Sequence, residues 1–304
     1  MASHRHKGLL FAFPWILGLG LFTLYPFIAS IYYSFTHFSV LQPPNFVGLG
    51  NYDEILHDQV FWLVLKNTLL YAALSIPAGL IVSLCLALLM NSVKRGQVLY
   101  SVIFYIPHLV PAVASAILWM WIFTGGLLSE FVQPAYTVIN SVRQFFEPGL
   151  KDLWQPPAWL GSATWALPSL VLMGLWSVGQ TAFIYLAKLQ DVPQDLYEAA
   201  EIDGASAWQK IWHVTLPMIS PIIFFNIIMS IIGAFQVFTE PYIMTGGGPS
   251  RATYFLPHYI WDHAFVTMRM GYACAMSWIL FLVILFLTLL AFRLSRERVY
   301  YAGR

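Results

Sequence analysis

Residues 194–221 read QDLYEAAEIDGASAWQKIWHVTLPMISP, a polar island of helix formers set between two long apolar stretches. Pro193 at its head, with Asp195 in the first turn and Glu198 a turn later, suits the positive end of a helix dipole. Asp191 is expected to cap that helix. Gly204 permits the left-handed backbone that ends a short helix. A second helix is expected to open near Ala205–Ser206 and run into Leu216-Pro217, where apolar sequence resumes. Ala199, Ala200 and Ala205 would let another surface come close, while Trp208, Ile211 and Trp212 could pack the knob together. Two readings fit these residues: a docking knob of two helices, or an amphipathic helix lying at a membrane surface with Trp208 and Trp212 one turn apart.

The rest of the chain decides the setting. Of 304 residues, 59% are hydrophobic, 17% aromatic and only 10% charged. Soluble domains carry about 25% charged residues, so this chain could not clothe a globular surface. It reads as an all-α, polytopic membrane protein. Cys85 and Cys274 both lie in apolar runs and read as small hydrophobes, so neither a disulfide nor a metal site is expected. His4, Arg5, His6 and Lys7 precede an apolar run too long for a signal peptide and without a small-x-small cleavage site. That run is read as a retained first span.

A lipid-spanning helix needs about 20 mostly apolar residues, and backbone amides in lipid have no partner outside a helix or closed barrel. Six stretches qualify: 9–35, 62–90, 98–123, 165–188, 218–240 and 271–293. With the N-terminus inside, the inner face holds Arg5, Lys7, Lys94, Arg95, Lys188, Lys210, Arg293, Arg296, Arg298 and Arg304. The outer face holds Lys66, Arg143, Lys151, Arg251 and Arg269. That is ten of the 15 cations against five, which places both termini and the island at 189–217 in the cytoplasm. The outer segments 36–61, 124–164 and 241–270 carry Pro43-Pro44, Pro156-Pro157 and Gly246-Gly247-Gly248-Pro249, and read as loops. Trp154, Trp159, Trp165, Tyr259 and Trp261 read as an interfacial aromatic belt. With no internal repeat, residues 1–304 form one transmembrane domain.

Catalytic chemistry is poorly represented. The eight histidines form no HExxH; His258 and His263 with Asp262 read as solvated loop residues rather than a metal site. No G-x-x-x-x-G-K-[ST] occurs, so energy from ATP would have to come from a separate subunit. An ion-coupled secondary transporter would want buried carboxylates near mid-membrane. None of the 14 acidic residues falls deep in a span, and Glu240 sits at an outer end.

Glu198-Ala199-Ala200, three residues, Gly204, nine residues, then Val214-Thr215-Leu216-Pro217 resembles the EAA loop of ABC-importer permeases; Asp203 and Ala205 fit it too. Val214 stands where Ile is usual. The resemblance covers nearly the whole chain. Tyr25-Pro26, Ser34-Phe35, Phe46-Val47-Gly48-Leu49-Gly50-Asn51-Tyr52, Asn67-Thr68, Met244-Thr245-Gly246-Gly247-Gly248-Pro249 with Thr253, and Gly271-Tyr272-Ala273 are similar to the maltose/glycerol-phosphate branch of sugar permeases. The extended outer domain and extra N-terminal helices of the maltose permease are not expected. The resemblance implies a MetI-like permease fold of six transmembrane helices whose cytoplasmic coupling-helix loop enters a cleft on an ATPase. Glu198 would then be the coupling contact. It implies a multi-pass cell-membrane subunit of a binding-protein-dependent importer, not an enzyme, with no cofactor of its own: ATP and Mg would sit on the ATPase. Further partners would be a second homologous permease in a heterodimer and an extracytoplasmic binding protein. No nucleic acid is expected.

Polar residues within spans are costly and mark functional candidates: His108, Gln180, Asn226, Ser230 and Gln236. Helix–helix hydrogen bonding is the competing role for each. The register of the EAA loop implies sugar contacts at Trp176, Ser177 and Gln180 on the fourth span and at Ser230, Gly233, Ala234 and Val237 on the fifth. Spacing of three and four puts the second set on one helix face. The expected cargo is a sugar or related polyol or oligosaccharide; glycerol phosphate or another small polar solute is the alternative. No intramembrane Lys or Arg cluster is present to neutralise a phosphate.

Overall fold

A computed structural model describes residues 12–93, 95–146 and 155–295. Helix α1 is Ala12–Ser34, with a wide π turn at Gly20–Leu24. Strands β1 (Thr36–Ser39) and β2 (Gln42–Phe46) follow, then α2 (Gly50–His57) and α3 (Gln59–Ser92). Next come α4 (Gln97–Leu109), α5 (Ala112–Thr124), α6 (Leu127–Phe146), α7 (Ala166–Trp176), α8 (Gly179–Gln190) and α9 (Gln194–Ile202). Helix α10 is Ala207–Phe235, containing a π turn at Ile211–Thr215. The order closes with α11 (Thr239–Thr245), α12 (Leu256–Trp261, continued by a π turn to Val266) and α13 (Met270–Ser295).

Four helices, α1, α3, α10 and α13, are each long and apolar enough to cross a membrane. The spans expected at 98–123 and 165–188 are broken: α4 and α5 meet at 96°, α7 and α8 at 46°. Counting each bent pair once gives the six expected spans. Val110 adopts ψ 127° before Pro111, whose ring disfavours a helical backbone in the residue ahead of it, and this opens the first break. Helix α10 stops at Phe235, short of the expected 240, and begins eleven residues before the expected 218, inside the polar island. Residues 9–11 of the expected first span lie outside the described residues.

The segments expected as loops are largely ordered elements. Residues 36–61 hold an antiparallel hairpin and α2. Pro43 and Pro44 lack an amide donor and sit in a two-stranded sheet, where edges are free. Residues 124–164 hold the twenty-residue α6, and 241–270 hold α11 and α12. The physical signal for α6 is its 3.6-residue apolar period, which the flanking glycines and prolines obscure.

The chain divides into two compact units, Met1–Leu63 with Pro257–Val283, and Val64–Leu256 with Ile284–Arg304. In the first, Asn51 donates to the carbonyls of Ser34 and Thr36, each at 2.9 Å, and Tyr52 donates to Ser34 Oγ at 2.8 Å. Asp58 accepts from the hydroxyls of Tyr259 and Tyr272 and from the Val60 amide. Gly271 is obligatory because a Cβ there would collide with the Thr36 carbonyl. His258, expected in a solvated loop, is 4% exposed on α12 and lies 3.9 Å from Asp262. Burial on the helix face overturns that expectation.

In the second unit, two apolar clusters lie far apart along α3. One gathers Tyr71, Ala116, Phe123, Leu167, Leu170, Met173, Met244 and Phe255. The other gathers Ala87, Met90, Ala182, Tyr185, Leu186, Leu189, Val192 and Ile219. Tyr71 and Ala87 are about 24 Å apart at the helical rise. The second cluster is the loop end of the bundle, because Tyr197, Val214 and Leu216 pack on it. At the other end, Asn67 donates to the Arg251 carbonyl at 2.7 Å, and Thr68 Oγ1 accepts from the Leu256 amide at 2.9 Å. Gly246 and Gly247 take φ of 57° and 86°, and Thr245 and Thr253 share a 2.6 Å hydroxyl contact.

Candidate functional site

The polar island folds as a helix–turn–helix. Helix α9 ends at Ile202 with Asp203 as its C-cap, and Gly204 takes φ 77°. The Gly204 amide donates to Glu201 at 3.0 Å and the Ala205 amide to Ala200 at 2.9 Å, the paired bonds of a Schellman motif. Two residues later Ser206 caps α10. Its hydroxyl accepts from the Gln209 amide, and Gln209 Oε1 accepts from the Ser206 amide at 2.8 Å, a reciprocal capping box.

The knob is fastened on one side and bare on the other. Val192 is buried; Tyr197 bonds Thr215 Oγ1 at 3.0 Å, and Lys210 bridges Glu201 at 2.6 Å. No residue of α9 is buried. Glu198, Ala199, Asp203 and Gly204 are exposed; Ala200, Ala205, Val214, Leu216 and Pro217 are half-buried. Ile202 is 87% exposed, and Trp208 and Trp212 are bare apart from an edge contact with each other at 5.8 Å. The two tryptophans therefore face outward instead of packing the knob. Asp191 does not cap α9 either: it closes α8 and pairs with Lys188 at 3.4 Å, two residues too early for the cap, which falls on Pro193.

Between the two apolar clusters lie two cavities. The larger, about 520 Å³, is walled by Tyr71, Ser75 and Gly79 of α3, by Gly174 and Ser177 of the α7–α8 break, and by the fifth-span face. Ser230, Gly233, Ala234 and Val237 all line it, with Gln236, Thr239 and Glu240 at one rim. The smaller, about 330 Å³, is lined by His108, Ser115, Trp176 and Pro241, and shares Tyr71, Gly174, Ser177, Val237 and Glu240 with the larger. Trp176 also meets Trp119 edge-on at 6.0 Å.

Six of the seven sequence-derived contact positions thus reach a cavity wall, while Gln180 is exposed on α8 and lines neither. Asn226 is buried and donates to the Ile222 carbonyl of its own helix at 2.9 Å, so its polarity is spent locally. Sequence reasoning missed Tyr71 and Ser75. Their spacing of four, continued by Gly79, marks one face of α3 and was the signal available. Ser75 Oγ is buried without a hydrogen-bond partner, a feature native proteins usually explain by water or a ligand. Among the described residues, no Lys or Arg lines either cavity and no cluster of three metal-ligating side chains is present.

Residues 75–298 match the family described as binding-protein-dependent transport system inner membrane component. The chain belongs to this family. It is 35% identical over 302 residues to the probable ABC transporter permease protein YesP of Bacillus subtilis (strain 168), covering 98% of this chain and 93% of that one. The lactose transport system permease protein LacF of Rhizobium radiobacter is 32% identical over 298 residues, covering 96% and 95%. Among solved structures, a bacterial alginate ABC transporter in complex with alginate pentasaccharide-bound periplasmic protein aligns over 97% of this chain and 96% of that one, with a TM-score of 0.75 and 24% identity. The fold is that of these permeases, and the protein is an inner-membrane permease subunit of an ABC transporter. It is a transport component, not an enzyme.

Proposed function

We propose that this permease passes a neutral sugar, polyol or oligosaccharide through the paired cavities at the α7–α8 break. One observation carries the reading: three spans converge on about 520 Å³ lined by a phenol, hydroxyls and an amide, with no cation on the wall among the described residues. Such groups suit sugar hydroxyls. LacF is named for lactose, a neutral sugar. Glycerol phosphate is the less favoured cargo, because a phosphate entering beside Glu240 would find no Lys or Arg on either wall among the described residues.

In the same reading, the termini and residues 189–217 are cytoplasmic, and the exposed face of Glu198, Ala199 and Gly204 enters an ATPase subunit that binds ATP and Mg. A second, homologous permease completes the path, and an extracytoplasmic binding protein delivers cargo at the opposite end. ATPase closure would press the knob and shift the bundle between inward- and outward-facing states.

Cells carrying the complete transporter test this with labelled neutral sugars and labelled glycerol phosphate. Gly233→Phe should fill the larger cavity and abolish sugar uptake, with the permease still at normal level in the membrane. Glu198→Lys should abolish uptake while leaving insertion intact. Uptake of glycerol phosphate alone, or normal sugar uptake in the Gly233→Phe transporter, would defeat the reading.

A further inference from the structure

Helix α6 divides its surface by chemistry almost perfectly. Leu127, Phe131, Ala135, Val138, Val142 and Phe145 fall on one arc at helical spacing, joined by Leu128, Ile139 and Phe146. Ser129, Glu130, Gln133, Thr137, Ser141 and Gln144 fall on the opposite arc. No residue of α6 is buried: Phe131, Phe145 and Phe146 are 82%, 80% and 77% exposed. Twenty residues could span a bilayer, but the continuous polar arc bars a crossing, and α6 is not among the helices apolar enough for one.

The chain says where this helix must lie. It leaves α5 through Gly125-Gly126, with Gly126 at φ 81°, so it starts two residues from the end of a broken span. Leu128 packs on the cluster around Tyr71 and Phe123, at the end of the bundle away from the coupling loop. Trp159 fixes its polar side by donating to Ser129 Oγ at 3.1 Å. A helix tethered so near a span end cannot leave the bilayer boundary. We infer that α6 lies in the membrane interface at that end, with the Phe131–Val138–Phe145 arc sunk among the lipid acyl chains. Its single Glu130 and single Arg143 balance, so apolar insertion holds it and attraction to anionic lipid does not.

The test uses the full transporter, with Cys85→Ser and Cys274→Ala, reconstituted in zwitterionic phosphatidylcholine vesicles. Single cysteines at Val138, Val142 and Phe145, or at Gln133, Thr137 and Gln144, carry an environment-sensitive NBD dye. On the apolar arc the emission should shift to the blue and be quenched several-fold more by doxyl-labelled lipid than by aqueous iodide. On the polar arc the preference should reverse. Equal iodide quenching on both arcs overturns the proposal. So does an apolar arc shielded from both quenchers, which would mean that protein covers it: a second permease if shielding is constant, the binding protein if it appears only on that protein's addition.

Discussion

Gly204 holds the turn between α9 and α10 by backbone conformation alone. Its φ of 77° lies in the left-handed region, yet nothing stands within 4 Å of where a Cβ would project. The requirement is therefore conformational and not steric. A β-branched residue in that backbone costs about 1–2 kcal/mol, whereas Asn visits it readily. Gly204→Val should unwind the Schellman turn and cut uptake by an order of magnitude or more at unchanged membrane level; Gly204→Asn should keep most of it. Equal uptake in the two variants would show that the turn does not matter for coupling. This turn was legible in the sequence because glycine after a polar helix has one dominant meaning. The face of Tyr71, Ser75 and Gly79 was there to be read, but nothing in the sequence says that it borders a cavity, and Asp191 pairs with Lys188 one turn back where a cap for the next helix was expected.

At the scale of elements, the long apolar spans were legible and their breaks were not. Pro111 signals the α4–α5 break, but Ser177-Val178 carries no Pro or Gly and bends only in its packed setting. Gly179 just beyond it permits close approach of α8 to α4, because a Cβ there would collide with the Phe104 carbonyl. Gly179→Leu should force these helices apart and lower the melting temperature of the purified protein by several degrees; an unchanged melt would deny that the contact is tight. In the other unit, α12 sets a pH limit. Burial lowers the His258 pKa against the pull of Asp262. Burial and then Arg269 lower that of His263 against Asp58, Asp262 and Glu54. Burial tends to raise Asp58, but the bonds from Tyr259, Val60, Tyr272 and Phe61 outweigh it and hold the carboxyl low. All three groups bind protons less readily folded than unfolded. Stability is complete above a pH of about 6.5, falls below it as the histidines are forced to charge, and falls again below about 3.9 with Asp58. Melting in detergent at pH 8, 6 and 5 should show the first loss, and a His258→Gln, His263→Gln double variant should flatten it. An equally steep loss in the double variant would place the sensitivity elsewhere.

Across the whole molecule, the knob and the cavities are joined by one element. Helix α10 runs from Ala207, inside the knob, to Phe235, past Ser230 and Gly233 on the cavity wall. Leu216 and Gly233 are about 26 Å apart along it. In the proposed cycle a push at the loop end would reach the cavity through this single helix, which already accommodates Pro217 and Pro221 near the loop end, provided it does not fold at its middle. Phe225 lies midway and is 50% exposed, so replacing it removes little packing. Phe225→Pro would delete one backbone bond and clash with the preceding turn, at a cost of about 3 kcal/mol, whereas Phe225→Ala deletes none. In the assembled transporter in vesicles, the proline variant should keep ATP hydrolysis while losing most import, and the alanine variant should keep both. Import that survives proline at full rate would mean that the stroke travels through other spans and that α10 merely connects the two sites.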